Sequence, residues 1–246
     1  MAGADDELHE VGARWSGPAT AARYAARDEH ARWSSGRAAG RDPALVAAVL
    51  ARHGVEPSRG GILDAPCGTG RLRAVLAGRS APYVGLDASA GMLEVARSPA
   101  GPGSVQPARG GPIHGELRLL RGSVARLPFA DGCFDVVVCC RLLHHLSDRA
   151  GLERVVNELV RVSSRLVLAS FWDRASLPAW RRRAGLRRPR SGDDERRVAH
   201  SKHLFRELFA AAGAPVVEWR HSFRFVSQQV FAVARKHAAR TGPEER

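Results

Sequence analysis

Lysine is nearly missing from this chain. Of its 38 basic residues only Lys202 and Lys236 are lysines, which leaves 36 arginines. A composition this rich in Arg, Ala and Gly is what GC-rich coding produces, so the net charge of +13 does not by itself announce a polyanionic partner. Its location says more. Between Phe171 and Arg206 eleven Arg or Lys stand against four Asp or Glu, so that stretch holds +7 of the +13. Cysteine is scarce too, with four residues at 67, 133, 139 and 140 and no metal-ligand pairing among them. Cys139 and Cys140 are neighbours on an expected buried strand and so face opposite sides of it. Neither a disulfide framework nor a zinc site fits, and a reducing, cytoplasmic setting is expected. Long apolar runs are absent, the longest being Ala44 to Ala51, too short to span a bilayer. The first ten residues carry Asp5, Asp6, Glu7 and Glu10 and no base, which argues against a secretory or transit peptide. What remains is 44% hydrophobic, ample for the core of one α/β domain with additions in 246 residues.

One stretch organises the rest. Ile62-Leu63-Asp64-Ala65-Pro66-Cys67-Gly68-Thr69-Gly70-Arg71 is an apolar strand that runs into an acid and a glycine turn. Behind it Leu72, Val75 and Leu76 share one helical face, predicting a helix over 69–78 whose N-terminus points at the turn. Glycines at 68 and 70 let the backbone take positive φ and approach a ligand closely. Tyr83-Val84-Gly85-Leu86-Asp87 reads as a second strand. It ends in an acid seventeen residues after Gly70, where nucleotide-binding α/β folds accept ribose hydroxyls.

Strands and helices then alternate. Strand 61–65, helix 69–78, strand 82–87 and helix 89–97 lead to Ser98–Gly115, where nine of eighteen residues are Gly or Pro and an irregular insertion is expected. Strands follow at Leu117–Arg121 and Phe134–Cys140, the latter apolar on both faces as a central parallel strand should be. Leu152, Val155, Val156, Leu159 and Val160 mark a helix, Arg165–Phe171 a fifth strand, and Leu204, Phe205, Leu208, Phe209 and Ala212 another helix ending at Gly213. Val216–Trp219 and Gln229–Ala234 close the pattern. Ahead of the first strand, Asp42 as N-cap and Pro43 at the first helical position predict a helix that stops at Gly54. Residues 1–54 therefore read as a leader and helical cap and 55–236 as the α/β domain. Within the domain, 98–115 is an insertion and 174–197 a basic, lid-like one; 237–246 is a polar tail.

Four blocks in order carry a resemblance. Asp64–Arg71 comes first, then Gly85-Leu86-Asp87-Ala88-Ser89 with Met92-Leu93. Leu127-Pro128-Phe129-Ala130-Asp131-Gly132 with Phe134–Val138 follows, and then Leu143-His144-His145-Leu146. Together they resemble the class I S-adenosylmethionine-dependent methyltransferases over about residues 60 to 170. The resemblance implies a doubly wound, Rossmann-like α/β fold with a seven-stranded, mostly parallel sheet in the order 3-2-1-4-5-7-6. It also implies S-adenosylmethionine as cofactor, S-adenosylhomocysteine as product, and no metal.

The cofactor contacts implied are residue by residue. Gly68, Thr69 and Gly70, with Cys67, lie under the methionine part, and Asp64 stands near its amino group. Asp87 takes the ribose hydroxyls, Ala88 and Met92 pack on the adenine, and Cys140 closes the end of the fourth strand. Ser123 departs from the pattern, since relatives usually carry an acid there for the adenine amino group. A serine accepts without charge assistance, and the Val124 N–H is a further candidate for that contact. His144 and His145 stand where substrate approaches, as wall residues or as a general base. With Tyr24 and Arg27 from the cap and Arg141 after the fourth strand they are the substrate candidates. The expected activity is methyl transfer to a small or medium-sized molecule, an anionic one if Arg141 binds it. Two other readings stand beside it: an RNA methyltransferase using the arginines of 174–197, and a non-catalytic S-adenosylmethionine-binding regulatory module.

Overall fold

The computed structural model describes residues 10, 11, 13, 17, 19–26, 41–54, 61–77, 82–98, 117–186, 197–222 and 227–236. Most of the insertion expected at 98–115, the middle of the basic segment, the polar tail and Arg27 therefore lie outside the described residues.

The strands are β1 Ile62–Asp64, β2 Tyr83–Asp87, β3 Leu117–Arg121, β4 Phe134–Cys139, β5 Ser163–Asp173, β6 Ala199–His200, β7 Val216–His221 and β8 Gln229–Arg235. They form one sheet in the order β3-β2-β1-β4-β5-β8-β7, with β6 attached to β5. The path is the one the resemblance implies; the two-residue β6 is the only added strand among the described residues, and it shifts the last two labels. Strands β3, β2, β1, β4 and β5 run parallel, and β8 is antiparallel to both β5 and β7.

Alternation along the central strands builds two cores. Leu63, Val137, Cys139, Val167 and Ala169 face one side. Ile62, Val136, Val138, Cys140, Leu166 and Leu168 face the other. Cys139 and Cys140 thus point into opposite layers, as their adjacency requires. Residues 19–26 form α1. Helix α2, Arg41–Arg52, covers the second layer with Val46, Val49 and Leu50. The first layer is covered by α5, Arg149–Val162, and α7, Lys202–Ala211. No helix of the described residues is long and apolar enough to cross a membrane.

Helix starts follow the chemistry of caps. The side chains of Ser89, Asp148, Ser176 and Ser201 accept from the backbone N–H three residues on. They open α4 (Ala90–Arg97), α5, α6 (Leu177–Arg183) and α7. Asp42 does not do so. Helix α2 begins at Arg41 and buries Asp42, whose carboxylate is engaged elsewhere. Its other end is as expected, with Gly54 at φ 56° donating to Ala51 O.

The largest correction is at the first turn. The helix expected over 69–78 shrinks to α3, Arg73–Leu76. Gly68 and Gly70 sit at φ 55° and 79°, conformations that cannot belong to a right-handed helix, and the turn runs on to Leu72. A four-residue helix has no N-terminal ligand site to offer. The turn's own groups carry the recognition.

Candidate active site

The carboxyl ends of β1, β2 and β4 open on a cavity of about 320 Å³, where strand order reverses between β1 and β4. Asp64, Cys67, Gly68 and Thr69 line it from the first turn, and Asp87, Ala88 and Met92 from the second. Ser123 and Val124 follow β3; Cys140, Arg141, His144 and His145 follow β4; Tyr24 comes from α1. Gly70 is the exception. Its Cα faces α4, and a Cβ there would sit 3.3 Å from the Ala96 methyl group, so Gly70 packs the turn on a helix instead of lining the cavity.

The first turn holds buried, unsatisfied polar groups. Asp64 is buried; its Oδ2 accepts from the Tyr83 hydroxyl at 3.0 Å, while its Oδ1 has no partner among the described residues. Burial pushes its pKa up to about 7, against the lowering effects of Tyr83 and Arg71. Thr69 Oγ1 is likewise buried without a partner. Above Gly68 a Cβ would meet nothing within 4 Å. Empty space over a glycine, flanked by a buried carboxylate oxygen that needs a donor, is a cradle for a cationic group.

Asp87 is braced by the backbone. Gly68 N–H and Ser89 N–H donate to its two oxygens, each at 2.8 Å. Burial raises its pKa, while the N–H donors of Ser89, Gly68 and Ala88 work against that rise. A carboxylate has about four acceptor positions, so these backbone donors leave it some capacity toward the cavity. Asp87 does not cap α4; Ser89 does.

Ser123 is exposed, and its Oγ accepts from Ala125 N–H at 3.2 Å. The loop after it is tied down by Arg161 of α5. Arg161 donates to the carbonyls of Leu127 and Phe129 and to Glu158 and Asp131. The Leu127–Gly132 block is therefore a docking strap that sets Val124 at the cavity.

On the far side, Leu143–His145 is a 3₁₀ turn. His144 is buried, stacks on Trp172 with centroids 4.8 Å apart and 6° between planes, and has no partner at Nδ1. Burial drives its pKa well below the usual value, helped by His145, Arg197, Arg141 and His200, so the ring is neutral. The His145 ring lies 4.4 Å away. The Cys140 thiol, pushed up to about 12 by burial, stays protonated.

Several lining residues escape a linear reading. Trp172 appears because β5 extends two residues beyond the expected Phe171, and alternation turns Trp172 away from the core that holds Phe171. Gln229 arrives from the start of antiparallel β8, and Val11 from the N-terminal segment. Part of the basic segment folds back here. Arg182 and Arg197 each place their guanidinium 5.3 Å from the Trp172 ring centre. Beyond Arg197, Val198 N–H donates to His144 O at 2.8 Å, and Arg197 lines the cavity.

With this geometry in place, residues 63–166 match the family model described as a methyltransferase domain. Over that stretch the chain is similar to methyltransferase domains. Curated relatives agree over that part of the chain. A protein of Encephalitozoon cuniculi named as a methyltransferase is 38% identical over 101 residues, 41% of this chain and 39% of its own length. The demethylmenaquinone methyltransferase of Beutenbergia cavernae is 34% identical over 120 residues, 48% of this chain and 42% of that one. The chain thus spans about two fifths of the length of these relatives. Among solved structures, the magnesium protoporphyrin IX methyltransferase of Synechocystis with bound S-adenosylhomocysteine superposes with a TM-score of 0.61. It is 21% identical, with 80% of this chain and 83% of that one covered. At that identity the likeness is one of fold, and the fold is the class I methyltransferase sheet.

Proposed function

We propose that the protein transfers a methyl group from S-adenosylmethionine to a small or medium-sized acceptor. The observation that carries this reading is the pairing, across one glycine turn, of Asp64 with an unsatisfied buried oxygen and Asp87 with spare acceptor capacity. The first suits an ammonium group and the second a ribose diol. Ala88, Met92 and Val124 offer the apolar surface between them that a flat base needs.

The cofactor supplies the methyl group and its own leaving group, so no covalent chemistry falls to the protein. What this chain's residues do is position and dry. Leu142, Trp172 and the two histidines wall the acceptor side of the cavity. Arg141 and Arg197 give that side a positive field that suits an anionic acceptor. His144, neutral and with no partner at Nδ1 among the described residues, would take the proton from an acceptor that must lose one. His145 serves as wall.

The test is binding followed by mutation. Calorimetry should show S-adenosylhomocysteine binding to the metal-free protein, and absence of heat and of a thermal shift at millimolar ligand would remove the reading. Asp87→Ala should keep the fold and weaken binding by about 1.5–3 kcal/mol per charge-assisted hydrogen bond lost. An unchanged dissociation constant would take the ribose role from Asp87.

A further inference from the structure

Helix α6 is amphipathic the wrong way round. It opens on Ser176, whose Oγ accepts from Ala179 N–H and whose hydroxyl donates to the Asp173 carbonyl at 2.7 Å. Ala179 is buried, and Arg182, with its guanidinium 5.3 Å from the Trp172 ring centre, also faces the body of the protein. The far end is closed by Gly185 at φ 69°, with Gly185 N–H donating to Arg182 O and Leu186 N–H to Arg181 O. That pair of bonds folds Leu186 back over the last turn. Both ends are therefore pinned, and the face that α6 turns outward is fixed.

At about 100° per residue, Leu177, Trp180 and Ala184 share that outward face, with Arg181 on one flank and Arg183 on the other. A surface helix of a globular domain turns its polar residues to solvent. This one turns out Leu177, 43% exposed, and Trp180, 51% exposed, with Leu186 beside them at 67%. Six large hydrophobic side chains are exposed among the described residues. Three of them fall between 177 and 186, so the patch is not the ordinary scatter of single apolar residues over a surface. Arg181 and Arg183 are exposed beside it; Arg183 gives one donor to the Arg174 carbonyl and keeps its charge at the surface. The sequence goes on with Arg187, Arg188 and Arg190.

Three partly exposed side chains fall well short of the about 800 Å² per partner that a stable protein interface buries. Leucines in the middle of the face gain nothing from a hydrated polynucleotide. A lipid layer fits both parts of the pattern, since acyl chains take up Trp180 and the leucines while anionic headgroups meet the flanking arginines. Tryptophan is also a side chain that settles at the headgroup boundary, having an apolar body and an indole N–H to donate.

We propose that α6 and Leu186 form a docking surface for an anionic lipid bilayer. The bilayer then lies on the outer side of the helix whose Arg182 reaches over the cavity wall at Trp172. Docking needs no cofactor, so the proposal stands apart from the methyltransferase reading. A chain of net charge +13 is drawn to any anionic surface, and insertion at Trp180 is therefore the deciding measurement. The protein should float with vesicles of phosphatidylcholine mixed with phosphatidylglycerol and not with phosphatidylcholine alone. Trp180→Gln should lower partitioning about 10-fold and Arg181→Glu about 5-fold or more, each at the wild-type melting temperature. Leu186→Gln, at the most exposed of the three positions, is the second apolar variant should Trp180→Gln fail to fold. Brominated acyl chains should quench the fluorescence of the wild type, whereas Trp180→Phe should still bind vesicles and lose that quenching. Vesicle binding left unchanged by both Trp180→Gln and Leu186→Gln is charge attraction alone and overturns the docking surface. So does an absence of binding, or a concentration-dependent dimer or RNA complex that these variants abolish while vesicle binding stays.

Discussion

If Asp64 receives the cofactor's ammonium group, as proposed, binding becomes a proton-linked event. Its pKa in the folded protein is raised to about 7, against 3.8 for the ordinary side chain, because burial penalises the charged form. A raised folded value means the native state holds a proton that the unfolded chain has released. The associated stability is present below about pH 4 and is lost as pH rises through 7. An ammonium ligand demands the ionised form, so the signs for binding are reversed. Affinity for S-adenosylhomocysteine should fall as pH drops below 7, with proton release on binding that approaches one and disappears in Asp64→Asn. Calorimetry in two buffers of different ionisation enthalpy measures it directly. His144 acts in the other direction. Its depressed pKa keeps it neutral, so His144→Gln should lower turnover by about 10²–10⁴ without changing cofactor affinity. A raised KM with turnover nearly kept would make it a wall residue. That Asp64, Asp87 and the histidines line one cavity was legible because each sits in a short linear block. Asp42 was not. The sequence Arg-Asp-Pro reads as a helix cap, and only the approach of Arg71, Arg141 and Ser222 from distant positions gives Asp42 its real partners.

Among the elements, the strands were the more readable. The central strands read as apolar runs because both faces of the sheet are covered there, and β3, mostly exposed, still has the bounds the sequence suggests. Strand β5 ran longer than expected because its final residues, Trp172 and Asp173, are held by pairing with β6, a partner that only the fold supplies. Helix α3 ran shorter, since apolar spacing at Leu72, Val75 and Leu76 says nothing of the backbone at Gly68 and Gly70. Glycine also decides the entry to β1. Gly61 sits at φ 71°, and a Cβ there would lie 2.4 Å from the Pro82 carbonyl oxygen, the same oxygen that accepts from Ile62 N–H at 2.8 Å. Gly61→Ala should destabilise the protein by at least about 1–3 kcal/mol from the left-handed backbone alone. Urea denaturation reads the loss, and an unshifted midpoint would show that the β1–β2 edge tolerates far more movement than its hydrogen bonds imply.

For the whole molecule the question left by the sequence was the purpose of its positive charge. The described part of the basic segment is divided in its use. Arg182 and Arg197 turn inward over Trp172, Arg183 donates to the Arg174 carbonyl at 2.7 Å, and Arg181 is exposed. A chain that uses its arginines to roof a cavity has fewer left for phosphates. Structured RNA should therefore bind weakly, with a slope of log K against log[salt] shallower than about −3, the value expected when four or more phosphates are neutralised. Gel shifts at two salt concentrations test this, and submicromolar binding that collapses with salt, together with methylation of that RNA, would restore the RNA reading.

The cavity wall also joins parts of the chain made at very different times. Val11 and Tyr24 precede β1 in the chain, and Gln229 lies in β8, the last strand of the described residues. During synthesis the early wall must wait, since β8 pairs with β5 and delivers Gln229 only after β8 itself has left the ribosome. A growing chain thus has no finished pocket to fill, and a ligand that does settle there works as a clasp, fastening the segment ahead of β1 to β8.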